Sequence, residues 1–372
     1  MSEMIIANVA LTFRVFLLGG FLLLLPRVTR KGLLFGVYVG ELFAESDSAR
    51  HLVRGWRLGC GFVMLISLAV GYGMSLAGRP VAGSLTGTAV FLVAGFGLYL
   101  RFYFTTRRLT PADATQPAPT ATASLEADDP RAERFAKAVV GLCLAASLGT
   151  IVYATVGYEA MPQRIPALTG SSSGMGDKSL VGVLFLPSVN LVFSPFYALL
   201  ALLTARAKRS VRGGAGGGSA EAQEAFRTTV ANLFSWFALL ICALLTVTSV
   251  QIVRIGLSRT ASLGAAVWGL AVIFVVFALA NLIRILLRHG QGGALRESGS
   301  RETPLTGGLA DNAHWVLGMF YVDRDDPSIM VEARFGIGYS LNYGNRNAVM
   351  IVGSMAVLTV GLAAFGLIGL LL

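Results

Sequence analysis

Apolar residues in this chain come in runs the length of a membrane crossing. Eight of them, at about residues 5–25, 58–78, 84–104, 136–157, 181–204, 228–250, 263–285 and 348–371, reach the ~20 mostly apolar positions that a helix needs to cross a bilayer. Two of the polar stretches between them read as linkers: residues 110–130, rich in Pro, Ala and Thr, and the glycines Gly213, Gly214, Gly216, Gly217 and Gly218. Neither has the apolar content to fold by itself. The last polar stretch differs, because short β-branched and aromatic runs flank the Asp/Pro turn Asp323-Arg324-Asp325-Asp326-Pro327 and predict a β-hairpin. The predicted fold is an all-α polytopic membrane protein of about eight transmembrane helices, with one small hairpin in the last cytoplasmic loop. Its regions are a three-span part (1–104), a linker (105–135), a two-span module (136–204), a second linker (205–227), a two-span hairpin (228–286), a loop module (287–347) and a last span (348–372).

Composition agrees. The chain is 55% hydrophobic and 13% charged, against about 45–50% and about 25% in average soluble chains. Mean hydropathy is +0.69, and the water-soluble and disordered classes are excluded. Net charge is +10, and 24 of the 30 basic residues fall on alternate loops, 5 on the others and Arg14 inside a span. By the positive-inside rule the four basic loops are expected to be cytoplasmic and both termini to lie outside. The charge thus reports topology; the bilayer is the expected partner and nucleic acid is not. Cys60, Cys143 and Cys242 lie inside apolar runs without CxxC spacing and read as packing residues. The first ten residues lack a basic n-region and a cleavage site, so the first run is expected to stay in the chain.

Candidate chemistry inside the spans is sparse. No Asp or Glu falls in any of the eight runs, which weakens an ion-coupled transporter. Arg14, midway along the first run, needs partners: backbone carbonyls, Asn190, the anionic group of a lipid or ligand, or the outer interface reached by snorkelling. In the fifth run Pro187 and Pro195 flank Asn190 and predict kinks or a broken helix. Arg14 and that break define the alternative reading, a transporter or permease. Catalytic signatures do not assemble. Gly170-Ser171-Ser172-Ser173-Gly174 fits GxSxG without the strand and helix of a nucleophile elbow. His51, His289 and His314 are unpaired in spacing, and Asp323, Asp325 and Asp326 lack the glycine and terminal Glu of a calcium loop. No P-loop is present. Neither a cofactor nor a metal is expected, and the chain reads as a non-enzyme.

The loop between the fourth and fifth spans holds Pro162, Arg164, Ile165 and Pro166, then Asp177, Lys178 and Ser179 before the next helix. Two prolines in so short a stretch hold a defined shape, and 177–179 are expected to cap the returning helix with Lys178 near the headgroups. These residues resemble the P-x-R-I-P-x-H loop and D-K-S of bacterial SdpI-like membrane proteins, and Thr29-Arg30 with Phe35-Gly36-Val37 is similar to the TR..FGV segment near their start. Leu168 replaces the usual His, and the segment before Asp177 is shortened. The resemblance implies immunity to a secreted peptide toxin combined with signalling through a repressor held at the membrane.

The last loop, with Trp315, Gly318, Phe320-Tyr321, Asp325-Asp326-Pro327, Arg334, Gly336, Gly338 and Asn342, looks like a second uncharacterised module that accompanies such proteins. Its aromatics Trp315, Tyr321, Tyr339 and Tyr343 read either as interfacial anchors or as a partner surface. The expected function is recognition of a peptide, lipid or regulatory protein, with the 162–179 loop as sensor and the last loop as output.

Overall fold

The computed structural model describes residues 2–29, 32–110, 130–166, 175–207, 218–260, 263–288, 312–334 and 338–371. The helices among them are α1 (Ser2–Val28), α2 (Glu41–Ala44), α3 (Asp47–Leu76), α4 (Pro80–Leu109), α5 (Pro130–Glu159), α6 (Leu180–Ala205), α7 (Gly218–Gly256), α8 (Gly264–Arg288) and α9 (Arg346–Leu371). All but the four-residue α2 are long and apolar enough to cross a membrane, so the chain is a polytopic helical membrane protein of eight candidate spans.

Several helices outrun their apolar stretch. α3 starts at Asp47 because the Ser46 side chain accepts a bond from the Ala49 amide at 3.2 Å and Asp47 favours the N-terminal dipole. The extension buries Ala49 and Trp56, whose indole donates to the Leu22 carbonyl at 2.8 Å. α6, in contrast, runs as one helix through both prolines, so of the two expected outcomes, kinks or a break, the break does not occur. Each proline deletes one helical bond, but α5 and α7 pack along α6 and hold it in place. Ser179 caps α6 as expected, accepting from the Gly182 amide at 3.3 Å.

The spans form two groups. α1 packs on α3 and α4, where Leu11 and Val15 meet Val63, Met64 and Phe91. α3 and α4 touch through glycine: a Cβ on Gly83 would stand 2.5 Å from the Gly71 carbonyl oxygen. α5, α6 and α7 make the second group around Val139, Cys143, Ala198, Ala238 and Cys242, with α8 against α7 and α9 against α6. Buried Asn190 donates to Thr246 Oγ1 of α7 at 3.0 Å, an interhelical bond of a kind worth about 0.6 kcal/mol, and accepts from Ser194 Oγ one turn along its own helix at 2.5 Å.

Among the described residues four short antiparallel strand pairs complete the fold: β1 (Leu33–Leu34) with β2 (Val37–Tyr38), β3 (Arg164–Pro166) with β4 (Met175–Asp177), β5 (Trp315–Val316) with β6 (Phe320–Tyr321), and β7 (Met330–Glu332) with β8 (Tyr339–Leu341). The last loop therefore holds two hairpins where one was expected. Its Asp/Pro stretch is the connection between them, and the first hairpin turns instead at Leu317-Gly318, both with positive φ. A bridge between Tyr321 and Asn342 joins the pair.

Candidate functional site

The N-terminal hairpin and the last loop, placed in separate regions by their sequence, share one core of Leu33, Tyr38, Trp315, Tyr321 and Val331. Two left-handed turns meet there. Phe35 and Gly36 have φ of +46° and +76°, Leu317 and Gly318 of +52° and +67°. The glycines face each other so closely that a Cβ on Gly318 would lie 2.6 Å from the Gly36 oxygen. A side-chain-bearing residue at positive φ is strained, and packing opposes the strain at Phe35, whose ring lies 5.0 Å from Trp56 and 5.2 Å from Phe102. The Tyr99 hydroxyl donates to the Leu317 carbonyl at 2.7 Å and lies 3.4 Å from that of Phe35, so one phenol touches both turns.

Polar side chains lock the joint. Asn312 accepts from the Tyr38 amide and donates to the Tyr38 carbonyl, each at 3.0 Å, in the manner of a strand neighbour. Arg334, 1% exposed, donates to Asn312 Oδ1 at 2.7 Å and to the Gly36 carbonyl at 3.4 Å, with its guanidinium 5.3 Å from the Trp315 ring centre. Burial, with Glu41 adding and Arg334 opposing, pushes the Tyr38 phenol above its ordinary range. A second lattice surrounds fully buried Asn342, which donates to the carbonyls of Asp323 (2.8 Å) and Asp326 (3.0 Å) and accepts from the Asp323 and Gly344 amides. The Tyr321 hydroxyl donates toward the Asp323 and Asp326 carboxylates at 3.1 and 3.2 Å. Burial, then the charges of Asp326 and Asp323, raises the Tyr321 pKa.

Trp315 and Tyr321 are thus core residues, 3% and 5% exposed, and neither interfacial anchors nor an open partner surface. Gly338 is buried at φ +119°, where its carbonyl accepts from the Ala333 amide at 3.0 Å; Gly336 lies outside the described residues. Sequence reasoning missed Trp56, Tyr99 and Asn312. Their signal was thin: each is a single polar-tipped residue at a span end or loop start.

At the other end of the bundle, Arg164 pairs with Asp177, Ile165 with Gly176 and Pro166 with Met175 across the β3–β4 hairpin. Pro162 is exposed, and the Arg164 and Asp177 side chains are 75% and 89% exposed with 3.9 Å between their charges. Lys178 is half-buried beside the cap of α6. Its amine donates to the Met161 carbonyl at 3.1 Å and the Tyr158 carbonyl at 3.4 Å and sits 4.8 Å from the Tyr158 ring centre, closing the C-terminal end of α5. Leu168 and the 170–174 stretch lie outside the described residues.

Arg14 bonds within the first bundle. It donates to the Ala10 carbonyl at 3.0 Å and to Ser84 Oγ at 2.5 Å, in the first turns of α4. Asn190 belongs to the other helix group, so the structure does not bring these two candidates together. Among the described residues no group of three or more His, Cys, Asp or Glu could hold a metal.

The architecture defines a multi-pass helical membrane protein with a composite hairpin module at one end. Residues 324–346, which span the Asp326–Asn342 lattice and β7–β8, match a family of unknown function (DUF5808). Comparison with curated proteins and with solved structures gave no match.

Proposed function

We propose that this is a non-enzymatic recognition protein of the bacterial inner membrane, with an immunity-like or signalling role, in which the β3–β4 hairpin receives a peptide on the outer side. The carrying observation is the contrast between the hairpin's exposed first pair and the fixed residues that join it to the helices. Arg164 and Asp177 offer two opposite charges to solvent, in a pair whose exposure leaves it only about 0–1 kcal/mol of stabilising value. The joining residues are fixed, because Lys178 closes α5 and Ser179 caps α6. At their other ends Glu133 of α5 bonds Arg206 just past α6, and Thr204 of α6 meets Met330 of β7 in the composite module, with 3.8 Å between Oγ1 and Sδ. A ligand on the hairpin has a mechanical route to that module, which in this reading presents the output to a cytoplasmic regulator.

The transport alternative draws less support, since α6 is continuous, Asn190 is bonded to its neighbours and Arg14 is engaged by Ser84. The test is in-cell photocrosslinking from position 163 or 164 in the native membrane, with mass spectrometry of the adducts. A stoichiometric peptide adduct lost in Arg164→Ala is expected. Solute uptake by proteoliposomes that Arg14→Leu abolishes, with no adduct at the hairpin, would reverse the assignment.

A further inference from the structure

Two apolar recesses lie side by side at the module end of the spans. The larger, about 400 Å³, is walled by Leu18 and Phe21 of α1, Phe234 and Phe237 of α7 and Leu282 of α8, and is closed by Tyr339 of β8. The smaller, about 200 Å³, lies between α1 and α4, with Phe91, Gly95 and Phe96 on its far side and Tyr99 and Met319 at its end. Leu18 and Phe21 line both, so one ridge of α1 separates them. Each opens sideways: Leu17 is 37% exposed at the mouth of the first, Phe96 49% and Leu92 56% at the second.

The shape selects the occupant. A helix, about 10–12 Å thick with its side chains, does not fit either recess, whereas extended hydrocarbon chains do. The walls belong to candidate spans, so the surrounding medium is acyl chain. Of the three helices that frame the larger recess, α1 and α8 end at the module side in an exposed arginine, Arg27 in the last turn of α1 and Arg288 in that of α8. We propose that the cleft binds one glycerophospholipid with an anionic headgroup, one chain on each side of the Leu18–Phe21 ridge and the phosphate toward Arg27 and Arg288. The bound lipid contacts Tyr339 and Met319, and so touches both hairpins of the last loop. This site is separate from the β3–β4 hairpin and stands whether or not that hairpin binds a peptide.

The test uses the full chain purified in mild detergent and read by native mass spectrometry, after delipidation and return of equal amounts of dioleoyl phosphatidylglycerol and dioleoyl phosphatidylcholine. One dominant phospholipid adduct is expected, in the glycerol form. Ala278→Trp, which fills the larger recess, and Gly95→Leu, which fills the smaller, each remove it. Val357→Trp, an equal bulk on the exposed face of α9, leaves it in place. Neutralising Arg27 and Arg288 to Gln lowers the phosphatidylglycerol preference by about fivefold per arginine. As a readout independent of filled variants, phosphatidylglycerol slows alkylation of Leu279→Cys by a membrane-permeant maleimide and phosphatidylcholine does not. The proposal is overturned by an adduct that survives both filled variants, by equal retention of the two lipids, by a ladder of weak adducts without a dominant one, or by a bound peptide or second copy in place of lipid.

Discussion

Arg164 and Arg334 both stand beside a short antiparallel hairpin, one at each end of the helix bundle. The first is 75% exposed, with the Asp177 carboxylate 3.9 Å away. The second is 1% exposed and wrapped by Asn312, the Gly36 carbonyl and the Trp315 ring. A buried guanidinium is tolerated only with its donors satisfied, and then it fixes the position of whatever satisfies it. An exposed one is held loosely and stays available. The same side chain therefore serves as a joint at one end and as an offered contact at the other, and the two ends should answer mutation in opposite ways.

Arg334→Ala tests the joint most severely. Loss of a charged donor and of buried volume should weaken module closure by about 3 kcal/mol, read as roughly hundredfold faster hydrogen exchange at the Tyr38 and Val322 amides. Gly318→Ala places a Cβ against the Gly36 backbone at a positive φ and should cost about 2 kcal/mol by the same measure. Tyr99→Phe removes the hydroxyl shared by the two turns and should cost about 1 kcal/mol. Arg164→Ala completes the contrast: module exchange and thermal stability should move by less than about 0.5 kcal/mol, while the hairpin crosslink disappears. Large exchange effects from Arg164→Ala, or none from Arg334→Ala, would erase the distinction between the ends.

The smallest effect is in pH. The Tyr38 and Tyr321 phenols are raised in the folded chain, so the folded state holds their protons more tightly. Their contribution is complete below the ordinary phenol value of about 10 and is lost as pH rises above it. Thermal unfolding should be level from pH 7 to 9 and fall by pH 11, with a shallower fall in Tyr321→Phe.

The spans were legible because a bilayer imposes a length and an apolar content that few other structures share. The module was legible only in part. The strands that join it are two or three residues long, too short for a period-2 pattern. The turns that matter carry Phe35-Gly36 and Leu317-Gly318 where the recognisable hairpin signal is Asn-Gly or Asp-Gly, so attention went to the Asp/Pro stretch. Asn342 and Arg334 stood out as binding candidates and hold internal bonds in the module instead, and nothing local revealed that Arg334 would reach a carbonyl near the other end of the chain. The prolines of α6 misled for the converse reason, because a break that residues 180–205 suggest alone is prevented by helices on either side.

The crossing of Gly36 with Gly318 also sets an order of events during synthesis. The Tyr38–Asn312 bond joins residues 274 apart and the Arg334–Gly36 bond residues 298 apart. At translation rates of about 5–20 residues per second, the first hairpin waits roughly 15–60 s for its mate. For that interval six spans, α3 to α8, have to be threaded through the membrane while Gly36, and the Tyr99 hydroxyl once made, remain uncovered. Completion of the last hairpin pair is then a checkpoint on assembly: a ribosome that stalls before residue 312 leaves a chain with seven of its eight candidate spans made, whose earliest-made turn has nothing to close against.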